Sequence, residues 1–88
     1  IGFIGLGNMA TAMIGGIIKK ELVKPQDILG SDGSSEATGK AVKNFGITGM
    51  DSNVKVAGES DVLFLSIKPQ VYEKVITEIK NSVKQIHN

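Results

Sequence analysis

The sequence lacks cysteine and arginine and contains a single histidine, and these absences exclude several kinds of chemistry. Without cysteine the chain has no disulfide framework, no thiolate nucleophile and no thiolate-based metal site. One histidine is too few for a typical zinc site, and no acidic residues are spaced as metal ligands would be. All ten basic residues are lysines, so the chain has no guanidinium group, which is the usual bidentate donor to a phosphate.

The chain also has little net charge and no long apolar run. A net charge of +1 argues against a strong preference for nucleic acid or membrane surfaces. No apolar segment approaches the roughly 20 residues needed to span a bilayer, and no signal peptide is visible. With 41% apolar and 22% charged residues, the composition is that of an ordinary globular domain, which we expect in the cytoplasm.

Strand and helix patterns alternate along the chain. Apolar runs predict strands at 1–4, 27–31 and 47–48, and the strongest strand signal, apolar on both faces, lies at Asp61–Ile67. The first helix is predicted over Asn8–Lys20, with Met9 and Met13 in the core. A second helix is predicted from Ser34 or Ser35, either of which can cap it, to about Asn44, with Gly46 just past its end. A short third helix is predicted over Val54–Ala57 after a cap at 51–53, and a fourth from Pro69 onward. The last helix carries an apolar row, with further apolar residues alongside, at Val71, Tyr72, Val75, Ile76, Ile79, Val83 and Ile86. This alternation predicts an α/β fold with a parallel sheet and helical crossovers.

A glycine-rich loop joins the first strand to the first helix. Gly5, Gly7 and Ala10 form a G-x-G-x-x-A pattern. Gly5 permits the tight turn, Gly7 lets a ligand touch the backbone, and Ala10 lets helix and strand pack closely. The N–H groups at the helix start and the helix dipole favour an anion there. The loop therefore predicts a Rossmann-like domain that holds the pyrophosphate of NAD(P).

An acidic residue, Asp32, ends the second strand 22 positions beyond Ala10, close to the interval of about 20 expected for a ribose contact. Such a side chain accepts hydrogen bonds from the adenosine ribose and repels a 2′-phosphate, which favours NAD. Serines, backbone N–H groups and a lysine can still bind a phosphate here. Alternatively, Asp32 is only a turn residue.

The Lys68-Pro69 turn ends the strongest strand, and open α/β sheets bind ligands beyond the carboxyl ends of their strands. Lys68 is therefore either a cation on the ligand side or a solvated surface lysine. Pro69 fixes the backbone there or simply begins the next helix.

With these motifs placed, the chain resembles the pyrroline-5-carboxylate reductases over essentially all 88 residues. The resemblance is carried by Ile1–Ala10, Ala12–Ile14 with Gly16, Pro25 before Ile28, and Ser60–Leu65 leading into Lys68-Pro69-Gln70. The opening alone would be shared with hydroxyisobutyrate-type dehydrogenases, which usually have a third glycine at the Ala10 position. The Ala10–Gly16 run and the Lys-Pro-Gln turn favour the reductases.

This resemblance implies NAD(P)H-dependent reduction of the cyclic imine 1-pyrroline-5-carboxylate to L-proline. It implies pyrophosphate binding by the glycine loop, a ribose or 2′-phosphate contact after the second strand, and a nicotinamide end near the Lys-Pro turn. The cofactor-binding residues that it implies are Gly5, Leu6, Gly7, Asn8, Met9, Asp32, Gly33, Ser34, Asn53, Ser66, Ile67, Lys68 and Pro69. The family generally prefers NADPH and many members carry an arginine after the second strand. Asp32-Gly33 departs from that pattern, so both NADPH and NADH stay candidates.

The length predicts an incomplete domain, since 88 residues are few for two βαβαβ halves. We expect residues 1–88 to form the N-terminal part of the dinucleotide-binding domain, with its next strand just after Asn88. The resemblance implies a helical C-terminal domain, absent here, that forms a homo-oligomer and supplies the imine-binding and proton-donating residues. No catalytic residue is therefore predicted in this chain, which should be inactive alone. Two other hypotheses are the cofactor domain of a hydroxy-acid-type dehydrogenase and a non-catalytic NAD(P) sensor.

Overall fold

In the computed structural model, residues 1–81 and the backbone of residues 86–87 are described. Five strands form one sheet: β1 (Gly2–Ile4), β2 (Leu29–Ser31), β3 (Thr48–Gly49), β4 (Leu63–Leu65) and β5 (Ile86–His87). Four helices connect them: α1 (Asn8–Lys19), α2 (Ser35–Phe45), α3 (Asn53–Glu59) and α4 (Pro69–Ile79), with a short 3-10 turn at Pro25–Asp27. No helix in the described ranges is long and apolar enough to cross a membrane.

The strands are all parallel and lie in the order β3-β2-β1-β4-β5. The chain first builds outward from β1 to β2 and β3, and then crosses to the other side of β1 to form β4. Phe3 therefore pairs with Gly30 on one side and with Phe64 on the other. This order confirms the predicted Rossmann-like α/β fold and places the change of direction between β1 and β4.

Each face of the sheet carries its own apolar core. On one face α1 and α2 cover a cluster made of Phe3, Leu6, Ala10, Ile14, Ile28, Ala41 and Ile47. On the other face α3 and α4 cover a cluster made of Ile4, Val56, Ala57, Leu63, Val75 and Ile79. Because β1 contributes side chains to both clusters, it is buried on both faces, as a central parallel strand should be.

Local signals in the sequence set the helix ends as expected. The Ser34 side chain accepts a hydrogen bond from the N–H of Ala37, which caps α2, and Gly46 ends that helix in the left-handed conformation at φ 75°. Ser52 caps α3 by accepting from the N–H groups of Val54 and Lys55. A proline begins α4.

Two expectations about α1 and β4 are corrected. Met9 and Met13 are exposed, by 72% and 37%, whereas Ala10 and Ile14 are the buried residues of α1. Met9 and Met13 were expected in the core because two adjacent rows of that helix are apolar, and the buried row is the one that contains Ala10 and Ile14. The β4 ladder is also shorter than the apolar run that predicted it, although β4 does lie centrally in the sheet.

The end of the chain is corrected as well. The last helix ends at Ile79, and Ile86 belongs to β5, so that residue does not continue the apolar row of α4. A short strand at Ile86–His87 already lies beside β4, before the position at which the next strand was expected. A two-residue strand is too short for periodicity to reveal it. Val83 lies outside the described residues.

Replacing Gly2 and Gly39 by alanine should change the free energy of unfolding in opposite directions. A Cβ on Gly2 would collide with the Ser60 hydroxyl and lie 2.8 Å from Val56 Cγ1, whereas a Cβ on Gly39, inside α2, would have nothing within 4 Å. Gly2→Ala should therefore destabilise the chain by about 1–3 kcal/mol. Gly39→Ala should stabilise it by about 0.5–1 kcal/mol through helix propensity. Urea denaturation followed by circular dichroism measures both, and equal effects of the two variants would contradict this packing.

Candidate functional site

A cleft of about 720 Å³ opens where β1, β2 and β4 end. It lies at the point where the strand order changes direction, which is where open α/β sheets bind their ligands. Its lining includes Gly5, Gly7, Asn8, Met9, Asp32, Gly33, Asn53, Ser66, Ile67 and Lys68 among the residues predicted for the site. Three further predicted residues, Leu6, Ser34 and Pro69, do not line it, although Leu6 and Ser34 act on it through their backbone.

Gly5 is required by the fold itself. It leaves β1 with φ 97°, a conformation that side chains other than glycine rarely adopt. A Cβ at this position would collide with the Ser66 carbonyl oxygen and lie 2.7 Å from the carbonyl carbon. The N–H of Gly5 also donates to the Ser31 carbonyl at 2.8 Å. The glycine loop therefore lies directly against the backbone that leaves β4.

No contact within the described part of the protein requires a glycine at position 7. Its φ of −77° is open to any residue, and a Cβ there would meet nothing within 4 Å. Since Gly7 lines the cleft, the space that its missing side chain leaves lies on the ligand side. The two glycines of the loop thus differ: Gly5 serves the fold, and Gly7 keeps the cleft open.

The first turn of α1 is the polar wall of the cleft. Serine side chains cap α2 and α3, but no side chain caps α1, and its first turn holds no acidic residue. The N–H groups at the start of a helix have no partner within the helix and carry a partial positive charge. Asn8 and Met9 expose this end of α1 to the cleft. The arrangement suits an anion.

Asp32 joins two loops. Its Oδ2 accepts the N–H of Leu6 at 2.7 Å, and its Oδ1 accepts the N–H of Ser34 at 2.8 Å. The second bond is a local turn contact, and the first ties the glycine loop to the end of β2. Each carboxylate oxygen can accept more than one hydrogen bond, so Asp32 can hold these loops and still meet a ligand from the cleft.

Asn53 is held at both ends of its side-chain amide. Ser31 Oγ donates to Asn53 Oδ1 at 2.6 Å, and Asn53 Nδ2 donates to Glu78 Oε1 at 3.0 Å. Ser31, Lys74 and Glu78 were not predicted for the site, and the last two line the cleft from α4. Helical spacing could have indicated Lys74 and Glu78, because positions 71, 74, 75 and 78 share one face of α4.

The exit from β4 supplies the opposite wall. The N–H of Ser66 donates to the Ile4 carbonyl at 2.8 Å, which holds this segment against β1. Lys68 is exposed and lines the cleft, and Pro69 occupies the first turn of α4. A second depression of about 620 Å³ adjoins the cleft at Asp32 and Gly33 and extends along α2.

Asp51, a carboxyl group whose pKa is shifted, lines this second depression. Lys55 Nζ lies 3.1 Å from Asp51 Oδ1, and the hydrogen bond and charge of that lysine lower the pKa of Asp51. The pair is exposed and joins neighbouring turns near the start of α3. No group of three or more histidine or acidic side chains that could hold a metal occurs in the part of the chain that is described.

The sequence of this fold matches a known protein family. A family model described as NADP oxidoreductase, coenzyme F420-dependent, matches residues 1–86. The chain belongs to this family.

Individual relatives confirm the predicted resemblance to pyrroline-5-carboxylate reductases. The reductase of Escherichia coli strain K12 is 36% identical over 85 residues, which is 97% of this chain and 32% of that protein. The reductase structure from Coxiella burnetii superposes with a TM-score of 0.87 at 27% identity, over 96% of this chain and 31% of that one. The Plasmodium falciparum reductase with NADP bound gives 0.80 at 29% identity, over 97% and 30%. The chain thus spans about a third of the length of the relatives that it matches.

The two loop glycines should respond differently to alanine. Gly5→Ala should destabilise the fold by at least about 2 kcal/mol, because it combines a strained backbone with a collision against Ser66. Gly7→Ala should change stability by less than about 0.5 kcal/mol, since its Cβ meets open space. Urea denaturation of both variants tests this, and a Gly7→Ala effect as large as that of Gly5→Ala would show that Gly7 also serves the fold.

Proposed function

We propose that the cleft binds the dinucleotide NADPH or NADH. The observation that carries this proposal is the open space at Gly7 in front of the uncapped start of α1. A pyrophosphate there would receive backbone N–H groups and the positive end of the helix dipole. The cradle would be filled by a Cβ at Gly7, so the residue present fits the group. The NADP-bound relative and the family description support the same assignment.

The other predicted residues then divide along the dinucleotide. We infer that Asp32, Gly33, Ser34 and Asn53 meet the adenosine half, since the first three follow β2 and Asn53 begins α3, the element after β3. Ser66, Ile67, Lys68 and Pro69, at the end of β4, lie toward the nicotinamide half. Leu6, Asn8 and Met9 complete the loop around the pyrophosphate. These roles rest on the resemblance and on the position of each residue in the cleft or, for Leu6, Ser34 and Pro69, next to residues that line it.

The choice between the two cofactors depends on Asp32. A carboxylate at the end of β2 accepts ribose hydroxyls and repels a 2′-phosphate, which favours NADH. The names of the family and of the Plasmodium relative favour NADPH. In this structure both Asp32 oxygens already accept backbone N–H groups, which partly neutralise the charge that a 2′-phosphate would meet.

For the whole protein we propose reduction of 1-pyrroline-5-carboxylate to L-proline. A bound reduced nicotinamide would supply the hydride to the carbon of the imine C=N bond, and the proton on the nitrogen would come from groups outside residues 1–88. Residues 1–88 would be the N-terminal part of a cytoplasmic homo-oligomeric reductase, and the groups that bind the imine would lie outside them. The likeness to relatives named as these reductases supports this over a hydroxy-acid dehydrogenase or a sensor.

Kinetics of the protein in which these 88 residues occur, expressed at full length, test the proposal. We expect oxidation of NADPH or NADH that depends on added 1-pyrroline-5-carboxylate, and none from the 88-residue chain alone. Gly7→Ala should raise the KM for the cofactor about tenfold or more, because its Cβ occupies the space for the pyrophosphate.

Gly16→Ala is the matched control, because its Cβ also meets nothing within 4 Å but lies further along α1, away from the cleft. No imine-dependent oxidation with either cofactor would contradict the proposed activity. A strong preference for NADPH would contradict the interpretation of Asp32 as a group that accepts only ribose hydroxyls.

A further inference from the structure

An acidic side chain, Glu78, lines a cleft that is proposed to bind an anionic dinucleotide. By charge alone a carboxylate opposes such a ligand. Glu78 lies near the end of α4, and its Oε1 accepts a hydrogen bond from Asn53 Nδ2 at 3.0 Å. Its presence in the cleft therefore calls for a role that outweighs the repulsion.

The contact decides which way the Asn53 amide faces. Ser31 Oγ lies 2.6 Å from Asn53 Oδ1, but a hydroxyl can donate or accept, so Ser31 suits either orientation of the amide. An ionised carboxylate only accepts, so Glu78 requires the NH₂ group of Asn53 on its side. Glu78 thus fixes Oδ1 toward β2 and Nδ2 toward α4. The second N–H of Nδ2 is then the donor that Asn53 can offer to the cleft.

We propose that Glu78 is a positioning residue that sets the orientation of Asn53, so that the cleft presents an N–H donor to the adenosine half of the dinucleotide. This inference rests on the proposed cofactor site. It assigns to Glu78 a favourable effect on binding that acts through Asn53, against the unfavourable effect of its charge. The two effects have opposite signs, which makes them separable.

The decisive variant is Glu78→Gln, which keeps the shape and removes the charge. A glutamine amide can accept or donate, so Asn53 is no longer held in one orientation. If Glu78 acted only through its charge, the variant would bind the dinucleotide more tightly. We expect the opposite: the Kd for NADPH or NADH should rise about threefold to tenfold, the size of one net hydrogen bond. Fluorescence titrations of the full-length protein in which these 88 residues occur measure this Kd.

Glu73→Gln is the matched control, because Glu73 is exposed on the same helix and does not line the cleft. It removes the same charge and should leave the Kd unchanged. The double variant with Asn53→Ala tests whether Glu78 changes the Kd through Asn53. Once Asn53 is truncated, Glu78→Gln should no longer weaken binding, whereas a role through Lys74 or through stability would persist.

A spectroscopic readout separates orientation from general stability. The side-chain ¹⁵N–¹H signals of Asn53 in the ligand-free full-length protein should move in Glu78→Gln and stay in place in Glu73→Gln. Unchanged or tighter binding by Glu78→Gln, with a wild-type chain that binds, would overturn the inference and leave the cofactor site standing. A full-length wild-type protein that binds neither dinucleotide would overturn the proposed site, and the inference with it.

Discussion

The carboxylate of Asp32 connects the parts of the cleft that are furthest apart in sequence. It accepts the N–H of Leu6 from the glycine loop and the N–H of Ser34 from the turn before α2. Hydrogen bonds to a carboxylate are stronger than those between neutral groups. They hold the loop in a shape in which Gly5 can pack against Ser66 and α1 can begin facing the cleft.

The two hydrogen bonds of Asp32 also explain why the start of α1 differs from the start of α2. The β2–α2 turn satisfies its own N–H groups through Ser34 and Asp32. The glycine loop satisfies only the N–H of Leu6 in this way, and leaves the following turn of α1 without a side-chain cap. An uncapped helix start beside a fixed loop suits an anion and would need no rearrangement to bind one.

Signals that lie within a few residues of one another could be predicted from the sequence. The glycine spacing, the serine caps at Ser34 and Ser52, the left-handed Gly46 and the acid after β2 all follow from local backbone chemistry. The parallel direction of the strands was predicted from the alternation of strands and helices and is confirmed, whereas the order of the strands in the sheet is known only from the fold.

Contacts between distant segments could not be predicted. The Ser31–Asn53–Glu78 chain spans separations of 22 and 25 residues, and nothing in the local pattern joins its members. The exposure of Met9 was also missed, because periodicity locates an apolar face without distinguishing packing from the edge of a cleft. Asp32 was expected at the ligand, and its bond to Leu6 could be found only from the fold.

The account depends most on the claim that the start of α1 is where a dinucleotide binds. Backbone amide shifts of the ¹⁵N-labelled full-length protein in which these residues occur, during titration with NADPH and with NADH, test this directly. The largest shifts should fall on Gly7, Asn8 and Met9, with smaller ones at Gly33 and Lys68. Shifts confined to the outer surface of α2, or none with either dinucleotide at saturating concentration, would contradict it.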